Sequence, residues 1–203
     1  MMIYSIQSSC QAALKILRSE FIAFVFPVNS AQEAQEILKE HQILYANATH
    51  NCYAYVLGYH QETQYYSDAG EPGGTAGKPI LNILLRNDLS GVLAIVTRYY
   101  GGIKLGVKGL IEAYSEATQE AVAQANLVPY IQYSPFWIRT DYAFLETLRY
   151  KLQEYQVLEL DVEYSESVLL RLKAPRDLLT LLMEFLSGHK AMGRIDFEME
   201  DIP

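Results

Sequence analysis

His50 and Cys52, in "THNCYAY", are both reactive types and stand two positions apart. In a strand that spacing projects both to one face, close enough for a Cys-His pair or for two ligands of a metal. A nucleophile also needs an oriented base and an oxyanion site, and a metal needs further ligands, neither of which the spacing supplies. Packing or hydrogen bonding competes for the same residues, so no catalytic residue and no metal ligand is assigned. His41, His60 and His189 have still less context. The stretch "SDAGEPGGTAGKP", Ser67 to Pro79, places Gly70, Gly73, Gly74 and Gly77 just ahead of an apolar segment. If a helix starts near Thr75, its free amides favour an anion there and Lys78 adds a cation. This is not a Walker A loop: Pro72 stands where its first glycine would be, and Pro79 follows Lys78. The competing reading is a tight turn in which Glu71 holds backbone amides or an internal basic residue. Asp68 and Glu71 are too few to complete an oxygen shell for a hard cation.

A second stretch, "RYYGGIKLGVKG", combines cations, aromatics and flexible backbone. Arg98, Lys104 and Lys108 have the reach to contact phosphates, and Tyr99 or Tyr100 the ring to stack on an unpaired base. Alternatively, Ile103 and Leu105 enter the core while Gly101, Gly102 and Gly106 turn the chain into a helix. No RNP aromatic pattern and no KH-type GXXG context is present, so sequence-specific recognition is not predicted.

Positioning these loops requires regular elements. "EFIAFVFPV" alternates and is rich in β-formers, predicting a strand that ends at Val25 or Phe26. "NSAQEAQEILKEHQ" opens on Asn29 or Ser30 as cap, with Glu33 three beyond Ser30 and Ala34, Ile37 and Leu38 on one face, predicting a helix. "NCYAYVLGY" reads as a strand interrupted by Gly58, "AGKPILNILLRND" as a helix with Pro79 in its first turn, and "GVLAIVTRYY" as an interior strand. "GLIEAYSEATQEAVAQAN" puts Leu110, Ile111, Tyr114, Ala117, Ala121 and Val122 at helical spacing. Beyond Tyr133 the order becomes strand 131–138, helix 142–152, strands 157–164 and 167–172, helix 175–186 and strand 194–199. That βαββαβ order is the split-βαβ pattern of a small sandwich. Pro129 and Pro135 bracket the boundary, unless Pro135 marks an edge position in the first of these strands. The fold class expected is α+β in two domains, 1–133 and 134–203.

Half of the 203 residues are apolar and 20% are charged, a composition that does not suggest disorder. The net charge of −8 argues against indiscriminate attraction to phosphate backbones. Residues 134–203 carry 8 Lys/Arg against 13 Asp/Glu, whereas Tyr66–Gly109 has five cations against three acids, so a locally basic face on an acidic protein is expected. No apolar run approaches the roughly 20 residues of a membrane span and no signal-peptide pattern opens the chain, so a cytoplasmic protein with no membrane partner is expected. Cys10 and Cys52 suggest neither a disulfide scaffold nor a four-thiolate zinc site.

Taken together, these stretches resemble the YigZ/IMPACT family. The resemblance rests on Thr49-His50-Asn51-Cys52, on Gly70-Glu71-Pro72 with Gly74-Thr75-Ala76-Gly77 and Pro79, and on Arg98-Tyr99 with Gly101-Gly102 and Lys104-Leu105-Gly106, in chain order. "SEFIA" and "GLIEAY" extend it. Ala69 and Lys108 depart from the family pattern, which has aspartate and glycine there. The resemblance implies an amino domain of the ribosomal protein S5 domain 2-like fold and a ferredoxin-like carboxyl domain similar to a late domain of translation elongation factor G. It also implies a connection to translation, since eukaryotic members regulate it through regions not evident here. Three functions are expected to compete. The first is a non-catalytic RNA- or ribosome-associated protein contacting RNA or an anion through Gly73, Gly74, Thr75, Lys78, Arg98, Tyr99, Tyr100, Lys104 and Lys108. The second is a small-molecule or nucleotide phosphate-binding enzyme. The third is an adaptor whose acidic carboxyl domain, with Tyr142, Tyr150, Tyr155 and Tyr164, faces a protein partner. No cofactor is expected.

Overall fold

The computed structural model describes residues 2–200, which fall into two compact units divided between Tyr130 and Ile131. The division lies a few residues ahead of the expected boundary. In the first unit the elements are β1 (Tyr4–Ile6), β2 (Cys10–Ile16), β3 (Ser19–Pro27), α1 (Ala31–Leu44), β4 (His50–Leu57), β5 (Thr63–Ser67), α2 (Gly77–Arg86), β6 (Val92–Tyr99), α3 (Gly106–Ala123) and β7 (Leu127–Pro129). The five-stranded sheet has the order β2-β3-β6-β4-β5, with each neighbouring pair antiparallel, and β1 pairs separately with β7.

Period-two alternation on the central strands sorts the side chains onto two faces. Phe21, Ala23, Val25, Cys52, Ala54, Val56, Val92, Ala94 and Val96 turn toward α2 and α3, which contribute Ile80, Leu84, Leu110, Tyr114 and Ala121 to the main core. The opposite residues, Tyr53, Tyr55, Leu57, Leu93 and Ile95, pack with Ala34 and Leu38 of α1. Both faces of the middle of the sheet are thereby covered, which is why β6 reads as a nearly unbroken apolar run. Helix α1 starts as its sequence requires: Ser30 Oγ accepts from Glu33 N at 3.1 Å, and the Glu33 carboxylate accepts from Asn29 N at 2.7 Å.

Several expectations are corrected. Helix α2 begins at Gly77 rather than near Thr75, and β3 runs on to Pro27. Ile111, expected on the buried face of α3, is exposed, while Ala113 and Thr118 are buried instead. Strands β2 and β5 were not expected, because "CQAALKI" is rich in helix formers and "TQYYS" is short and exposed. Tertiary pairing with β3 and β4 overrides these weak local preferences.

In the second unit β8 (Tyr133–Thr140), α4 (Tyr142–Leu152), β9 (Leu158–Tyr164), β10 (Val168–Pro175), α5 (Leu179–Ala191) and β11 (Ile195–Met199) realise the expected βαββαβ order. The sheet order is β11-β8-β10-β9, antiparallel throughout, with Phe136, Ile138, Leu170 and Leu172 meeting Leu145, Leu148, Leu182 and Leu186 of the helices in a separate core. Pro135 lies in the central strand β8 and not at a sheet edge; it sits just past the end of the β11 ladder, which stops at the Met199–Phe136 pair.

Candidate nucleic-acid interface

The glycine-rich loop does bring backbone amides to the start of a helix, but the anion they hold is internal. Asp68 Oδ2 accepts from Gly74 N at 2.8 Å, and Oδ1 accepts from Ala76 N and Gly77 N at 2.9 Å each. Burial by itself raises the Asp68 carboxyl, yet the three amide hydrogen bonds carry it the other way, to a net position below its ordinary value. The external anion expected at these amides is therefore displaced by the side chain of Asp68. Thr75, expected to cap the helix or meet the ligand, is buried and donates its hydroxyl to Pro72 O at 2.7 Å. Gly73 and Lys78 remain exposed.

Three residues beyond Asp68, Glu71 turns inward. Its Oε1 takes the Arg98 guanidinium and a 2.8 Å hydrogen bond from the Tyr114 hydroxyl. Arg98, expected to reach phosphates, is only 5% exposed. Its Nη2 donates to Ser19 Oγ at 3.4 Å, and its guanidinium carbon lies 5.2 Å from the ring centroids of both Phe21 and Tyr100. It holds the loop from below.

His50 and Cys52 do share a face of β4, and both serve this turn. His50 Nδ1 is 2.9 Å from Ala69 O, an acceptor, so that nitrogen carries the proton; Nε2 stands 4.0 Å from Glu71 Oε2. Gly70, at φ +91°, passes beneath the same imidazole. Cys52 Sγ donates to Asp68 O at 2.9 Å and lies 3.4 Å from the Tyr114 hydroxyl. Burial pushes the thiol up to about 12, so it stays protonated at neutral pH, the opposite of an activated nucleophile. Among the described residues no group of three or more His, Cys, Asp or Glu is arranged to hold a metal ion. Tyr114 and Ser19 are the members of this network that sequence reasoning missed. Tyr114 was read only as an apolar helix position, and among sixteen tyrosines nothing marks the one whose hydroxyl is buried.

Above the buried pair runs the loop from Tyr99 to Leu105. Tyr99 donates its hydroxyl to Asn47 at 3.2 Å, Tyr100 N donates to Thr49 Oγ1 at 3.0 Å, and Gly101 N donates to Ser19 Oγ at 3.3 Å. Gly101 lies directly against the backbone of Arg18 in the β2–β3 turn, leaving no room for a Cβ. So braced, the loop presents Tyr100, Gly102, Ile103 and Lys104 to solvent, and the first turn of α3 presents Gly106, Val107 and Lys108. Lys108 has a solvent-exposed ion pair with Glu112 at 3.7 Å. A pocket of about 340 Å³ opens here, with Glu71 and Arg98 among the residues lining it, between Tyr100 and the Leu105, Val107 and Leu110 side of α3. Leu105 packs against the core, as the structural alternative required, whereas Ile103 is exposed.

The tyrosines expected to serve a protein partner divide. Tyr150 is exposed, Tyr155 packs against the core of the second unit, and Tyr142 and Tyr164 stack on each other while Tyr142 donates to Ser165 O at 2.7 Å. No helix among the described residues is long and apolar enough to cross a membrane.

Comparison with known proteins agrees with this architecture. Residues 17–122 match the Impact N-terminal domain. The IMPACT family member YvyE of Bacillus subtilis is 38% identical over 165 residues, 81% of this chain and 76% of the relative. YigZ of Escherichia coli is 31% identical over 163 residues, 79% and 80% respectively. A crystal structure described as that of a hypothetical protein superposes with a TM-score of 0.68 at 26% identity, covering 100% of this chain and 98% of the other. With the domain spanning more than half of its length and relatives aligned over both units, the chain belongs to the IMPACT family.

Proposed function

We propose that the protein is a non-catalytic module that contacts RNA, on the ribosome or free, through the surface formed by the β2–β3 turn, the Tyr99–Leu105 loop and the first turn of α3. The observation that carries this reading is the fate of charge at that end of the sheet. Its two loop acids are withdrawn: Asp68 into amides, Glu71 onto Arg98. Arg18 and Lys104 stay exposed beside an exposed aromatic ring, Tyr100, as does Lys108 with its solvent-exposed partner Glu112. On a chain of net charge −8, this is a local cationic surface of the kind that tracks a phosphate backbone, with a platform for stacking. Membership of a family whose eukaryotic members regulate translation supports the same direction and makes the ribosome a natural source of the RNA.

The test is association with purified ribosomes and with labelled single-stranded RNA over a salt series, using Lys104→Glu/Lys108→Glu beside the native chain. Binding is expected to weaken steeply with salt, and the double variant to lose affinity and to lower the salt slope by about one per lysine. Absence of association, or identical behaviour of the variant, overturns the reading. Arg98 is left intact because it is buried in the pair with Glu71.

A further inference from the structure

We infer that the pocket beside Tyr100 takes a single unstacked base of single-stranded RNA, an assignment that rests on the RNA reading and names what its surface recognises. The pocket has three chemically distinct parts. One side is the ring of Tyr100, held by the hydrogen bond from its amide to Thr49 and by the Arg98 guanidinium at 5.2 Å. The other is aliphatic, from Leu105, Val107 and Leu110. A flat ring slotted between an aromatic face and aliphatic side chains is what base stacking requires.

The third part decides between a base and a phosphate. Glu71 and Arg98 both line the pocket, and they neutralise each other in a buried ion pair. A phosphate placed there meets the Glu71 carboxylate and gains no net positive charge in return. A neutral ring with donors and acceptors on its edge brings no charge that either member of the pair would repel. Among the described residues Lys104, at the rim, is in no ion pair, and α3 begins there with no side-chain cap on its amides and no acid in its first turn. The polar part of the pocket thus suits a neutral base edge, and its mouth suits the flanking phosphates. At about 340 Å³ it has room for a base.

Three fluorescein-labelled probes of about twelve nucleotides, a length typical of single-strand sites, separate base from backbone: a single strand, the same sequence as a blunt duplex, and an abasic ribose-phosphate strand of equal charge. The native chain is expected to bind the single strand about tenfold tighter than the other two. Tyr100→Ala and Val107→Trp, the second filling the pocket from an exposed position, are expected to bring single-strand binding down to the abasic level while leaving abasic binding unchanged. Retained abasic binding is also the control that either variant is folded. With the native chain alone, 2-aminopurine placed in the single strand is expected to change fluorescence on stacking. Equal binding of all three probes, or a Val107→Trp chain that still prefers the single strand, overturns the base pocket and leaves the RNA surface standing. Failure of every probe to bind overturns both.

Discussion

Asp68, Glu71 and Arg98 show how the same residue types are spent differently once folded. A carboxylate among glycine amides and an arginine beside two tyrosines both suggest external ligands when read along the chain. In three dimensions each finds an internal partner first, because burying a charge unpaired costs several kcal/mol while a paired and hydrogen-bonded one is tolerated. The Glu71–Arg98 pair is the clearest case, with side chains 4% and 6% exposed. Arg98→Met keeps the length of the side chain but strands the Glu71 carboxylate; it is expected to cost about 3–5 kcal/mol. Glu71→Gln, whose amide oxygen still accepts from Tyr114, is expected to cost less. Urea unfolding of the two variants checks the order, and equal midpoints with the native chain would show that the pair contributes nothing.

At the level of elements, the two signature loops are close approaches of backbone to backbone. A Cβ on Gly77 would lie 2.7 Å from the carbonyl of Ser67, and one on Gly101 would fall on the carbonyl of Arg18. Neither position is relieved by moving a flexible side chain. By contrast a Cβ on Gly73 meets nothing within 4 Å. Gly77→Ala and Gly101→Ala are accordingly expected to destabilise by about 1–3 kcal/mol through forced backbone shifts, and Gly73→Ala to be neutral within about 0.5 kcal/mol. Thermal unfolding ranks the three; a Gly73→Ala effect as large as the others would show that the loop is not held as described. Strand β6, loop and α3 form one such braced unit, and the surface proposed for RNA is its outer side.

Across the molecule, acid should act on identifiable groups of the first unit. His41, buried on α1 with Nε2 2.8 Å from Thr97 Oγ1, has its pKa lowered from 6.5 to about 4 by burial. The unfolded chain therefore takes up a proton there as the pH falls past 6.5, and the folded chain does so only near 4; the stabilising difference, complete above 6.5, is lost between those values. Asp68, depressed below its ordinary 3.8, holds its contribution above that value and loses it as the pH falls through its lower folded pKa. His41→Gln is expected to flatten the upper step and Asp68→Asn the lower one in urea midpoints followed by circular dichroism from pH 7 to 3. Trp137, the one tryptophan, sits in β8 of the second unit, between the core residues Phe136 and Ile138, and reports on that strand. Its fluorescence transition should be unchanged by either substitution. An unaltered circular-dichroism curve for His41→Gln would refute the assignment.

Much of this protein is local and so was legible in its residues. The β6 run, the capped start of α1, the helical spacing of Leu110, Tyr114, Ala117 and Ala121, and the βαββαβ order of the second unit each depend on neighbours a few positions away, where propensity and periodicity act. The signature loops were visible too, as glycines placed ahead of helices. That Glu71 could hold an internal basic residue was legible as well, and the Arg98 pair realises it; which partner each acid takes was not. Asp68 meets amides six to nine residues on, Glu71 meets Arg98 and Tyr114 at separations of 27 and 43, and Ser19 meets Gly101 across 82. Such pairings are selected by the cost of leaving a buried charge or amide unsatisfied, a condition that exists only after the sheet and α3 have enclosed them. Strand β2 shows the same dependence, since its alanine-rich sequence becomes a strand through its ladder to β3. Local chemistry wrote the elements and the loops; which charges face inward and which remain for a partner was decided by enclosure.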